Sequence, residues 1–126
     1  MPGMFEISVE THFSAAHSLK GYQGDCAEIH GHNWNVEVSV RCTKLNEIGI
    51  GIDFRDVKKA INELMESIDH TYLNEHPGFA DSNPTSESVA RYIYRKLSKK
   101  LNSDVVKVAK VKVSETKTTA ACYWEE

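Results

Sequence analysis

Residues 5–13, FEISVETHF, alternate strictly between one face of Phe5, Ile7, Val9, Thr11 and Phe13 and another of Glu6, Ser8, Glu10 and His12. Residues 34–42, WNVEVSVRC, repeat the pattern, with Trp34, Val36, Val38, Val40 and Cys42 set against Asn35, Glu37, Ser39 and Arg41. Side chains of a strand point alternately to its two faces, so a sustained period of two commits each segment to a strand with one buried and one wetted side. Two such strands in succession pair most simply as antiparallel neighbours, and their shared apolar face requires a cover.

The cover follows in the chain. After the turn-rich NEIGIGID the period becomes helical: Asp53 is an N-cap, and Phe54, Val57, Ile61, Leu64, Met65 and Ile68 share one stripe of a helix over about 54–68. A second helix follows DSNPT, with Thr85 as its cap, Glu87 in the first turn, and Val89, Ile93 and Leu97 as its apolar stripe. Two strands, about 105–116 and 119–125, close the chain. In the first of them the inward phase slips, since Val106 and Val108 share one parity and Val111 and Val113 the other, which predicts a bulge near Ala109 and Lys110. The later phase turns Glu115 the same way as Val111 and Val113.

The expectation is therefore an α+β fold of order β-β-α-α-β-β, a four-stranded antiparallel sheet with two helices on one face, in a single domain spanning residues 1–126. Such a sheet has two open edges, which predicts a homo-oligomer formed by edge pairing. A formal net charge of -3 gives no global cationic field, so nucleic acid is not an expected partner. No apolar run approaches the ~20 residues of a membrane span and the first residues lack a signal-peptide pattern, so no membrane partner and a cytoplasmic location are expected. Three cysteines, an odd number, argue for free thiols rather than a disulfide framework.

The stretch DCAEIHGHNW carries the chemistry. His30 and His32 project from one face of an extended segment about 6.6 Å apart, near enough to share an ion, and His17 in FSAAH reaches the same place if the two strands pair. Three imidazoles with a fourth position open describe a catalytic zinc site. H-x-H by itself is weak, because surface or core histidines account for it equally well. Cys26 can be read in two ways. The spacing C-x3-H-x-H allows a fourth ligand closing a structural site. Alternatively Asp69-His70, at the end of the first helix, supplies a base and a group to orient it for a free thiol, although the pair on its own also suits a plain helix terminus.

FSAAHSL, CAEIHGHN, DHTYLN, NPTSES and SETKTTAA, in this order, resemble the 6-pyruvoyltetrahydropterin synthase family over essentially the whole chain. Within it they are most similar to the bacterial 6-carboxy-5,6,7,8-tetrahydropterin synthases of queuosine biosynthesis. The resemblance implies the tunnelling fold (T-fold), whose sheets join across subunits into a barrel, in a trimer-based assembly reaching a hexamer with active sites at subunit interfaces. It implies that His17, His30 and His32 bind Zn2+, that Cys26 is the catalytic base with Asp69 and His70 completing a triad from a neighbouring subunit, and that Glu115 anchors the pterin. The implied substrate is 7,8-dihydroneopterin triphosphate and the implied products are 6-carboxytetrahydropterin, acetaldehyde and triphosphate.

The three-residue gap between Cys26 and His30 resembles this branch; the pyruvoyl-forming branch carries a longer insertion there. Some relatives use a glutamate near the metal motif and form a hydroxymethylpterin, but with Cys26 present Glu28 reads as a solvated or structural charge. Lys20, Arg55 and Lys117 are candidate triphosphate contacts, each equally at home as a surface charge. Cys42 and Cys122 read as small buried hydrophobes, Trp34 and Trp124 as sheet-face or interface packing, and His12 and His76 need no function. Three other readings stay open: a 6-pyruvoyltetrahydropterin synthase (triphosphate lyase), a noncatalytic pterin-binding T-fold subunit, and a structural zinc protein with Cys26 as ligand.

Overall fold

The computed structural model describes residues 3–22, 24 and 28–126. The two alternating segments form β1 (Phe5–His17) and β2 (His30–Cys42). They pair antiparallel along their whole length, from Phe5 opposite Cys42 to His17 opposite His30. The ladder begins at Phe5 and ends at Cys42 as predicted, but it runs past the predicted end of the first strand and starts before the predicted start of the second, because the alternation continues through Ala15 and His17 on one strand and His30 and His32 on the other.

Helices α1 (Phe54–Ile68) and α2 (Ser86–Leu101) begin where their caps predict. The Asp53 carboxylate accepts from the Arg55 N–H at 2.8 Å and the Thr85 hydroxyl accepts from the Ser88 N–H at 3.1 Å, each satisfying a donor that the first helical turn leaves free. Val57, Ile61, Met65 and Ile68 of α1 and Val89, Ile93 and Leu97 of α2 pack in one core with Val9, Phe13, Trp34, Val36, Val38 and Val40 of the sheet. Each such aliphatic side chain, once buried, stabilises the fold by about 1.5–3 kcal/mol. Two stripe positions differ from expectation: Phe54 stays half-exposed in the first turn and Leu64 is only partly buried, while Ala60 is buried in the stripe.

The sheet is larger than the periodicity predicts. It has five strands, in the order β3-β1-β2-β4-β5, with β3 (Thr71–Tyr72), β4 (Val106–Ser114) and β5 (Ala121–Tyr123). Strand β3 runs parallel to β1, setting Ala15 opposite Thr71 and Ala16 opposite Tyr72, so the sheet is mixed rather than four-stranded antiparallel. Two residues are too few to leave a period in a sequence; only the return of the chain after α1 against the end of β1 creates this strand. Both closing strands are also shorter than expected. The phase slip in β4 is a bulge as predicted: Ser39 pairs with Lys110 and Val40 with Val108, leaving Ala109 as the extra residue.

Apart from Ser39, the buried strand residues fall on the helix side. The other side carries Glu6, Glu10, Glu37, Arg41, Lys107, Lys110 and Lys112, with Ser39 buried among them. No helix among the described residues is long and apolar enough to cross a membrane. Cys42 is buried as expected, but Cys122 is exposed: β5 lies at the sheet edge and turns that side chain away from the core. Trp34 is fully buried and Trp124 is 56% exposed.

Candidate metal centre

The β1–β2 ladder decides the centre. Its register sets His17 directly opposite His30 and Ala15 opposite His32, so all three imidazoles emerge on the core face at one end of the sheet. Ala15 leaves the room that His32 occupies beside His17. Ring centroids lie 4.5 Å apart for His17 and His30, 4.7 Å for His30 and His32, and 5.4 Å for His17 and His32. Trp34 forms the floor, with its ring 4.8 Å from His17 and its indole N–H donating to the Ala15 carbonyl at 3.2 Å. It is thus both sheet-face packing and a wall of the cluster.

Two rings are oriented by backbone carbonyls. His17 Nδ1 lies 2.8 Å from the Pro84 carbonyl and His30 Nδ1 lies 2.8 Å from the Glu28 carbonyl. A carbonyl can only accept, so each Nδ1 carries the proton and each Nε2 keeps a lone pair for another partner. His17 is 1% exposed, and burial, with smaller contributions from His30 and His32, lowers its pKa below the ordinary 6.5. It is therefore neutral at pH 7, as a ligand must be.

Phase along β4 carries Glu115 to the same place. Its carboxylate lies 3.3 Å from His32 Nε2 and 3.8 Å from His17 Nε2, and the Ser86 hydroxyl, at the start of α2, donates to it at 3.0 Å. One ligand atom from each of His17, His30, His32 and Glu115 falls within 4.8 Å of the others, a group that could hold a metal ion. The fit is supported by two orphaned atoms: His17 Nε2 and His32 Nε2 are buried without a hydrogen-bond partner. A buried polar atom left unpaired costs about 1–3 kcal/mol, which a coordinated cation would offset. Imidazole nitrogens with one carboxylate suit zinc among other divalent transition metals.

Cys26 lies outside the described residues. Asp69 and His70 stand together at the β3 edge, with His70 Nδ1 3.0 Å from the Asp69 carboxylate, which also accepts from the Ser14 N–H at 2.8 Å. The Ser14 N–H, with a smaller share from His70, holds the Asp69 carboxyl below its ordinary range. Among the described residues no hydrogen bond or ion pair joins this pair to the histidine cluster, and the His70 side chain is 81% exposed.

Of the cations considered for phosphate, Arg55 is engaged by Asp53 at 3.0 Å. Lys117 lines a cleft of about 490 Å³ with Glu10, Glu37 and Lys112 on the outer side of the sheet. Lys20 is exposed and held through its backbone. A second cleft, of about 470 Å³, opens beside Glu115 and is lined by Ser86, Glu87, Thr119, Ala120, Ala121 and Cys122.

Sequence reasoning missed the parts that orient the cluster: Pro84, the Glu28 carbonyl and Ser86. Backbone acceptors leave no signature in residue type, although the run NPTSES holds both Pro84 and Ser86.

Comparison with known proteins shows the family and the fold. The family described as 6-pyruvoyl tetrahydropterin synthase matches residues 6–126. A relative from Archaeoglobus fulgidus is 42% identical over 104 residues, covering 82% of this chain and 85% of its own. The 6-carboxy-5,6,7,8-tetrahydropterin synthase of Synechocystis sp. is 36% identical over 126 residues, covering 96% of this chain and 94% of its own. Among solved structures, the 6-pyruvoyl tetrahydropterin synthase of Caenorhabditis elegans superposes with a TM-score of 0.84 at 26% identity, covering 98% of this chain and 97% of its own.

Proposed function

The chain belongs to the 6-pyruvoyl tetrahydropterin synthase family, and from that premise we propose that it is a zinc-dependent 6-carboxy-5,6,7,8-tetrahydropterin synthase. With one water it converts 7,8-dihydroneopterin triphosphate to 6-carboxytetrahydropterin, acetaldehyde and triphosphate, a step of queuosine (7-deazaguanine) biosynthesis. The observation that carries this reading is the cluster of His17, His30 and His32, with two rings turned by backbone carbonyls so that Nε2 stays free.

In this reading the three histidines hold Zn2+. When bound, the ion acts as a Lewis acid that acidifies the neighbouring C–H and O–H bonds of the substrate side chain. Glu115 offers two oxygens to the amino group and ring N–H of the pterin, a match a carboxylate makes bidentately. The cleft beside Glu115 gives the ring room, and Ser86 holds the carboxylate toward it. Cys26 takes protons from the side chain and returns them as triphosphate leaves. Asp69 accepts from His70, fixing the imidazole that keeps the thiol reactive.

The exposed edge position of the Asp69–His70 pair supports its use from a neighbouring subunit, in a homo-oligomer whose open sheet edges pair. Residues 5–14 of β1 have no strand on the side away from β2 among the described residues, which favours such pairing.

A second reading follows from the short approach of Glu115 to His32: the carboxylate closes the site as a fourth protein ligand, and the metal is structural. Mass-spectrometric product analysis of the zinc-loaded protein with 7,8-dihydroneopterin triphosphate separates the two. The proposal expects 6-carboxytetrahydropterin with acetaldehyde, reduced about 10²–10⁴-fold in Cys26→Ala with zinc content unchanged. A pyruvoyl or hydroxymethyl product moves the chain to a sister activity. Untouched substrate removes the catalytic reading in favour of a pterin-binding subunit.

A further inference from the structure

We propose that the groove between the turn Pro77–Phe79 and the solvent side of α2 binds a polyphosphate anion, apart from the metal centre. The groove holds about 280 Å³, the size of a small-molecule site rather than of a docking surface for another chain. Four of its lining side chains are cations, Arg91, Arg95, Lys96 and Lys99, and among the described residues no carboxylate lines it. Its floor is firm. A Cβ at Gly78 would collide with the Tyr92 ring, so turn and helix meet without a gap, and that ring lies 5.1 Å from the ring of Phe79.

The cations run against the rest of the molecule, whose formal net charge is -3. Elsewhere charges are matched, as with Asp53 beside Arg55 and Glu63 on Lys100. Along α2 the only acidic residue is Glu87, in the first turn. Arg91, Arg95 and Lys99 follow at intervals of four residues, about 6 Å of helix rise each, on one ridge where like charges repel. Lys99 suits the carbonyl end of the helix, but Arg91 and Lys96 stand too far from that end to gain from it. Arg95 has a carboxylate partner, Glu125 at 3.2 Å, while Lys96 Nζ faces the Tyr92 ring at 5.8 Å from its centroid. Arg91, Lys96 and Lys99 have no ion-pair partner among the described residues.

Phosphate oxygens match what the groove offers. Guanidinium forks pair with them bidentately and ammonium groups add charge. Ser88 Oγ accepts from the Thr85 hydroxyl at 3.2 Å, which leaves its own proton to donate. A linear triphosphate can bridge cations on successive turns of the ridge, whereas a single phosphate meets one turn. The groove shares no lining residue with the cleft beside Glu115. Ser86 and Ser88, two positions apart, point to nearly opposite sides of α2. The shared chemistry is a triphosphate chain, carried by the inorganic anion or by a nucleoside triphosphate.

The test is calorimetric titration of the zinc-loaded protein with inorganic triphosphate, ATP and inorganic phosphate, without magnesium and at low salt. The same titrations are run on His32→Ala and on the double variant Arg91→Ala/Lys99→Ala. The expected result is a saturable event with a triphosphate chain that His32→Ala retains and the double variant weakens about 10–100-fold, as loss of charged hydrogen bonds requires. Inorganic phosphate should bind at least about 10-fold more weakly. Tighter binding of inorganic triphosphate assigns the groove to the inorganic anion, and tighter binding of ATP assigns it to a nucleotide. The absence of any event with this pair of properties overturns the proposal, and an event lost with His32→Ala places the anion at the metal centre instead. If His32→Ala does not fold, the Nε–H resonances of Arg91 and Arg95 in the parent protein decide: movement in step with added triphosphate upholds the groove, and unmoved resonances overturn it.

Discussion

His17 is 1% exposed and His70 is 81% exposed, although each has its ring Nδ1 held by an oxygen of the same chain. The first sits at the end of a strand ladder, under the start of α2, among two other imidazoles and Trp34. The second stands at the sheet edge with a φ of 59°, a left-handed backbone that a non-glycine residue adopts only when its surroundings require it. One half of the candidate site thus comes together within one chain, where burial keeps the His17 imidazole neutral and ready to bind a cation. The other half is held in an unfavourable conformation facing outward, as a group used on something outside its own protomer would be.

The deepest cut is into the buried half. His32→Ala should remove bound zinc and with it turnover, read by metal analysis and product formation. Glu115→Gln should keep the zinc and raise KM about 10–100-fold, the loss expected when a charged hydrogen-bond acceptor becomes neutral. Zinc lost from Glu115→Gln would make the carboxylate a ligand and close the site.

The exposed half is tested by mixing. His70→Ala and Cys26→Ala protomers, each inactive alone, should regain part of the parent activity when dissociated and reassembled together. Failure of the mixture, with mixed oligomers verified by mass spectrometry, would return His70 to its own protomer's site.

The smallest effect separates the halves by pH in the metal-free protein. Burial lowers the His17 pKa, so below the ordinary 6.5 the unfolded chain binds a proton that the folded one refuses. Stability is full above that value and falls as pH drops from it toward the lowered folded value. Asp69 follows the same sign lower down: the Ser14 N–H depresses its carboxyl, so its contribution is full above the ordinary 3.8 and is lost as pH falls through the depressed value. Thermal melts across pH should show two separate declines, and His17→Asn should erase only the upper one.

The strands that carry the histidines, both helices and their caps, and the bulge in β4 were legible in the sequence. Each depends on interactions between residues near in the chain: alternation over a strand, a stripe over a helix, a side chain reaching the N–H two or three positions on. The pairing of His17 with His30 and His32 was legible for a related reason, since antiparallel strands with matched apolar faces have few registers open to them. Strand β3 was not, because two residues carry no period. Nor was the exposure of Cys122, which follows from β5 lying at the edge.

The carbonyls of Pro84 and Glu28, the Ser86 hydroxyl on Glu115 and the two asparagine clasps escaped for another reason. Except for the Glu28 carbonyl, whose partner His30 is two residues on, their partners lie far along the chain, and an asparagine that grips a backbone, as Asn74 does at Ser18 and Asn83 at Lys20, looks in sequence like an asparagine in any turn. The amino-acid pattern by itself determined which residues have the chemistry to be ligands and which segments carry them. Only the tertiary structure decided which ring nitrogen is left free, because that depends on which oxygen the folded chain brings to the other one.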